Sequence, residues 1–207
     1  MTSKLTIYNG ALAILGEMPL TALTDNRAAR RHLDSAWDGG FLDGILEAGM
    51  WNFATRSTER TSSPSVTPGF GYQYAFEHPS DFVRTVALCV DDRYRTPLLE
   101  YVDEGGFFLC DMETIYLRYV SNDADYGLNY ALWPESFARF AEADLAFRAA
   151  MAITSSDDKV QRAEVQRKRR LSDALAKDAM AQSTKFAPVG SWVRSRNIAW
   201  PKSKRAA

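Results

Sequence analysis

Apolar positions near the start of the chain recur at helical spacing. Leu5, Tyr8, Leu12 and Leu15 stand 3, 4 and 3 residues apart, one stripe of a helix over residues 3–15. Gly16 supplies the left-handed position that ends such a helix, and Pro19 reinforces the stop. A second helix is expected from a Thr24 or Asp25 cap to about residue 49, with Leu33, Trp37, Phe41, Ile45 and Ala48 on one face. Gly39, Gly40 and Gly44 weaken it, since each glycine costs about 1 kcal/mol relative to alanine, and they predict a kink or a close helix approach. The run Gly49-Met50-Trp51-Asn52-Phe53 closes this helical section and buries aromatics.

Residues 57–71 are rich in Ser, Thr, Pro and Gly and read as a polar loop. The period then switches to two. Tyr72, Tyr74 and Phe76 alternate, and Phe82, Arg84, Val86, Leu88 and Val90 oppose Val83, Thr85, Ala87 and Cys89. Further strands are expected at 93–97, 98–102, 106–110 and 114–120, separated by short acidic turns, which together make one small antiparallel sheet. The helical period returns at Trp133-Pro134-Glu135, where Pro134 suits the first helical position and Glu135 the positive end of the dipole. Phe137, Phe140, Ala141, Leu145, Phe147 and Met151 give this helix a broad apolar surface, and its many alanines permit close packing. Thr154-Ser155-Ser156-Asp157-Asp158 makes a turn and a cap. A charged last helix runs from about 158 to 181, with Val160, Ala163, Leu171, Ala174 and Leu175 toward its neighbour.

The expected fold is therefore mostly α, a helical bundle with a small antiparallel β insert, in the α+β class. N-terminal helices occupy 1–56, the β insert 57–122, C-terminal helices 123–184 and an extended basic arm 185–207. The helices at both ends must close on each other to bury their stripes.

The 207 residues suffice for one ordinary domain, and 46% hydrophobic with 25% charged residues is the composition of a soluble globular protein. No apolar run approaches the roughly 20 residues of a membrane helix. The N-terminal segment lacks the long clean apolar core of a secretory signal and reads as the first helix of the mature protein. Cys89 and Cys110, both in expected strands, exclude a disulfide framework and read as buried thiols. His32 and His78 are far apart, so no zinc site is expected, and His78, before Pro79, reads as a plain loop residue. No Gly-rich phosphate loop, Cys–His pair or Gly-x-Ser-x-Gly turn is present, and no catalytic residue, cofactor or metal is assigned.

Charge is distributed unevenly. Residues 185–207 carry Lys185, Arg194, Arg196, Lys202, Lys204 and Arg205 and no acid, so a chain of net charge −1 has −7 over residues 1–184. Phe186, Val189, Trp192, Val193, Ile198 and Trp200 are spaced among the basic residues, and Trp and Arg are the residue types that anchor interfaces. A segment of this kind docks on a partner of its own. Stacking on nucleic-acid bases is the alternative, but the acidic body speaks against DNA binding and suits a channel through which DNA slides without sticking.

Several words along the chain resemble the phage tail tubular protein A and head-to-tail adaptor family. They are Tyr8-Asn9-Gly10-Ala11-Leu12 with Leu15-Gly16-Glu17-Met18-Pro19-Leu20, then Leu23 and Ala28-Ala29-Arg30. Leu46-Glu47-Ala48-Gly49-Met50-Trp51-Asn52-Phe53-Ala54 follows, then Pro79-Ser80-Asp81-Phe82-Val83-Arg84 and Ile115-Tyr116-Leu117-Arg118-Tyr119-Val120. The last is Trp133-Pro134-Glu135-Ser136-Phe137 before an alanine-rich helix, so the likeness spans about residues 5–180 in order. The resemblance implies a non-enzymatic ring subunit, typically of a dodecamer, at the head–tail junction of a virion and made in the host cytoplasm. Its partners would be the portal protein and the next tail or neck ring, with genomic DNA passing through unbound and no membrane involved. It also implies that Lys185, Phe186, Trp192, Val193, Arg194, Arg196, Ile198, Trp200, Lys202, Lys204 and Arg205 form a portal-docking arm. Arg162, Arg167, Lys168, Arg169 and Arg170 read as a solvated face paired with Glu164, Asp173 and Asp178; contact with acidic residues of a neighbouring subunit is the alternative. A second functional reading is a cell-wall or polysaccharide hydrolase using two of Asp91, Asp92, Asp103, Glu104, Asp123 and Asp125, although aspartate is common in turns for backbone reasons.

Overall fold

A computed structural model of the chain describes residues 2–63, 66 and 68–181; the arm at 185–207 lies outside them. Among the described residues 46% are helical and 20% strand. The class is α+β, and strands take a larger share than the expected mostly helical bundle allowed.

The first helix, α1 (Lys4–Leu15), begins where the Ser3 side chain accepts from the Thr6 backbone N–H and ends at Gly16 with φ +71°. The expected single helix over 25–49 is two: α2 (Ala28–Asp38) and α3 (Phe41–Glu47). Gly40 breaks it with φ +80°, a conformation that any side chain resists. The break preserves the stripe, since Leu33, Trp37, Phe41 and Ile45 are all buried. Asp25 does not cap α2. Its carboxylate accepts from the Thr21 backbone N–H and hydroxyl instead, closing the preceding turn. A 3₁₀ turn at Asn52–Ala54 leads out of the helices.

The expected polar loop begins as a strand, β1 (Thr55–Thr61). It is followed by β2 (Tyr74–Glu77), β3 (Phe82–Cys89), β4 (Val102–Glu104), β5 (Phe107–Cys110) and β6 (Thr114–Ser121). These form two three-stranded antiparallel sheets rather than one, in the orders β1-β6-β3 and β2-β5-β4. Residues 93–97 and 98–102 contribute no strand before Val102, because the Asp91 carboxylate accepts from the backbone N–H groups of Arg95 and Thr96 and holds a turn there. The chain then returns through a second 3₁₀ turn (Tyr130–Leu132) to α4 (Glu135–Thr154) and α5 (Asp157–Ala181). Pro134 stands at the cap of α4, one position before the expected one.

The molecule is layered. The sheet β1-β6-β3 is the middle layer. Val83, Val86 and Val120 face a helical core built from α1 to α5, while Phe82, Leu88, Ile115, Leu117 and Tyr119 face a second core shared with Phe76, Phe108 and Cys110 of the other sheet. Val86 thus leaves the face expected of it beside Phe82 and Leu88. Register shifts against β6 between Phe82 and Arg84 and between Thr85 and Ala87 rotate the intervening residues.

The helical core is closed by aromatics packed mostly edge to face. Phe137 of α4 lies 4.8 Å from Trp51, 4.7 Å from Phe53 and 4.7 Å from Trp133, ring centre to ring centre. Phe137→Ala is expected to lower the unfolding free energy by about 3–5 kcal/mol, and Gly40→Ala by about 1–2 kcal/mol through strain at positive φ. Chemical denaturation measures both.

Candidate functional site

The polar strand β1 is the edge of the middle sheet. Register pairs Arg56 with Tyr119, Thr58 with Leu117 and Arg60 with Ile115, which places these three β1 side chains on the face toward the second core. The chain crossing from β2 to β3 brings Glu77, His78, Pro79, Ser80 and Asp81 alongside. Together they line a polar groove of about 440 Å³.

Asp81 forms its floor. The carboxylate accepts from Arg56 Nη1 at 3.0 Å, from the Tyr119 hydroxyl at 2.9 Å and from the Ser121 hydroxyl at 2.5 Å. Burial pushes Asp81 upward, but the bonds from Ser121, Tyr119 and Arg56 outweigh it and hold the carboxyl below the usual carboxylate range. Burial, followed by the hydrogen bond to Asp81, drives the Tyr119 phenol well above its ordinary value. Such a carboxylate, engaged by three donors, is an ionised structural acceptor and is poorly placed to act as an acid. Arg56 also stacks over Tyr126 at 5.2 Å, tying β1 to the loop after β6.

His78 is no plain loop residue. Its ring lies between Phe82 at 4.3 Å and Phe108 at 4.2 Å, and its side chain is only 17% exposed. Nε2 is 3.2 Å from Asp103 Oδ1, outside strict hydrogen-bond alignment but close enough for the carboxylate to attract the ring. Burial lowers the pKa of His78 and Asp103 raises it; burial prevails, and the nearby Arg60 adds to the lowering.

On α5 the arginines divide. Arg162 pairs with Asp158 at 2.8 Å and Lys168 with Glu164 at 2.7 Å, each one helical turn apart. Arg167 turns inward to Asp144, 3.1 Å away, which also holds Arg148 at 2.7 Å. Arg169 and Arg162 flank the exposed Val165 in a shallow surface depression. Arg170 lies near enough to Glu142 to favour its charged form, against the burial that raises it. Asp178 does not pair with the arginines: it accepts from the backbone and side-chain nitrogens of Asn52.

The six carboxylates considered for hydrolysis do not converge on this groove. Asp91 caps its turn, Asp123 accepts from the Asp125 backbone N–H, and Asp103 and Glu104 lie in β4 rather than in a turn. Cys89 and Cys110 are buried with no disulfide between them, and burial raises the Cys110 thiol. Among the described residues no group of three or more His, Cys, Asp or Glu side chains is placed to hold a metal ion, and no helix is long and apolar enough to cross a membrane. Sequence reasoning missed the Asp81 assembly. Its partners stand 25, 38 and 40 residues away, and only the strand pairing, unknown beforehand, joins them.

No protein-family model matches the chain, and no curated protein matches it.

Asp81→Asn is expected to destabilise the fold by about 1–3 kcal/mol, because a half-buried acceptor of three donors is weakened and Arg56 loses its counter-charge. His78 and Asp81 both sit below their ordinary values, so the folded chain binds fewer protons than the unfolded one. Their contribution is present above the ordinary value and is lost as pH falls through it, for His78 from 6.5 downward. The thermal midpoint should therefore drop between about pH 7 and about pH 5, and His78→Gln should flatten that drop. Equal slopes for the two proteins would contradict this assignment.

Proposed function

We propose that this chain is a structural head-to-tail adaptor of a tailed phage. It would be one subunit of a ring, a dodecamer in the resemblance, that joins the portal to the next tail or neck ring and lines the path of the genomic DNA. The single observation that carries the proposal is the closure of helices from both chain ends into one layer, with both sheets stacked on its far side. This is the architecture that the resemblance implies, with the five helices as the bundle of the subunit and the sheets as its excursion. Asp81, one of the two carboxylates that line the groove, is committed to joining β1, β6 and the start of β3, which suits a structural role better than hydrolysis.

Two features of charge support the same reading. The body sums to −7 over residues 1–184, and a like charge lowers affinity for passing DNA. The last described helix ends at Ala181, close to Trp51 and Phe137, and the acid-free stretch from Lys185 to Arg205 follows. Arm contacts that are weak singly become effective in a ring, because linked sites act at high effective concentration. On α5, Arg162 and Arg169 beside Val165 form the surface offered to a neighbouring subunit, whereas Arg167 is engaged within its own.

The test is to mix the full-length chain, and a version ending at Thr184, with portal rings and to image the products. Co-assembly of the full-length chain alone is expected. Equal binding by both would remove the arm from the proposal, and no assembly by either would overturn the adaptor reading.

A further inference from the structure

Among the described residues, the groove between β1 and the 77–81 crossing has one cation left over. Arg56 spends its charge on Asp81. Arg60 has no carboxylate partner among the described residues, and its one hydrogen bond, from Nη2 to the Glu77 carbonyl at 2.9 Å, anchors the guanidinium beside the groove. A guanidinium carries five N–H donors in a planar fork, so this anchoring leaves donors for a ligand. Ser80 presents an exposed hydroxyl on the same groove, and the buried Nε2 of His78 lacks an aligned partner.

We propose that this groove is a carboxylate socket, in which Arg60 and Ser80 hold a single Glu or Asp side-chain carboxylate of a peptide segment on a docking protein. Three observations select this chemistry. The planar fork of Arg60 matches the two oxygens of a carboxylate. Glu77 and Asp81 also line the groove, so a dianionic phosphate meets more repulsion there than a singly charged carboxylate. The net −7 of residues 1–184 acts against a polyanion such as nucleic acid far more than against one carboxylate. The groove lies along β1, an edge strand of its sheet among the described residues. The socket goes beyond the ring reading and does not depend on it.

The experiment is a nuclear magnetic resonance titration of the full chain with a terminally blocked Gly-Glu-Gly peptide. The matching Gly-Gln-Gly peptide and inorganic phosphate are compared at equal ionic strength. The Arg60 Nε–H and His78 ring signals are followed. The Glu peptide should shift both saturably, and the Gln peptide should not. Arg60→Gln should weaken binding roughly tenfold, the equivalent of one charge-assisted hydrogen bond. Thr58→Leu fills the groove while keeping the cation, and should weaken binding as well, so the test survives if one variant folds poorly. A bound carboxylate should also raise the His78 titration midpoint, which a merely structural arginine would not do. Absence of saturation, unchanged affinity in both variants, or tighter binding of phosphate than of the Glu peptide would each overturn the proposal.

Discussion

A continuous run of aromatic rings joins α1, near the start of the chain, to α4, and the remaining architecture depends on it. Tyr8 of α1 meets Trp37 of α2, and Trp37 meets both Phe41 of α3 and Tyr130. Tyr130 meets Trp133 edge to face, Trp133 meets Phe137 of α4 edge to face, and Phe137 meets Trp51 and Phe53, which stand just before β1. Edge-to-face pairs of this kind contribute about 0.5–1.5 kcal/mol each beyond the area they bury. Two of its three indoles also satisfy their donors inside the core: Trp51 Nε1 donates to the Ile45 carbonyl and Trp133 Nε1 to the Gly127 carbonyl. Those bonds fix the points at which the chain leaves the helices and returns to them.

Between those points the chain builds a sheet covered on both faces over much of its area. The covered strands, β3 and β6, carry the apolar residues; β1 lies at the edge and is polar along its length. An edge strand of this composition resists unwanted pairing, and its polar inner face makes a groove where a sequence with apolar residues would have made core. Asp81 is the clamp that lets it stay in place, drawing Arg56 of β1 and Tyr119 and Ser121 of β6 to the start of β3. The structural duty of Asp81 and the open cation at Arg60 are two consequences of one polar strand.

How much of this could be read in the sequence varies with the range of the interaction concerned. α1 with its glycine stop, α4 with its apolar surface, and strands β3 and β6 were legible because period and capping are local. The pairing of Gly39 with Gly40 announced weakness in the second helix, but not that Gly40 would take φ +80° and split it. β1 was illegible because Thr55–Thr61 holds no apolar residue, and its partner β6 supplies the burial. The second sheet arose from the same difficulty: which short strands pair is a long-range choice. Asp81 stood inside a quoted motif, yet its function as a node, like the enclosure of His78 by Phe82 and Phe108, depends on residues far along the chain.

If the aromatic run makes α1 and α4 one cooperative unit, the sheet β1-β6-β3 rests on that unit through Val83, Val86 and Val120. Native-state hydrogen exchange addresses that unity most directly. The amides of Ile7–Leu12 in α1 and those of Phe137–Ala146 in α4 should open together with a single free energy. Exchange of α1 at a markedly lower free energy, with α4 still protected, would contradict it.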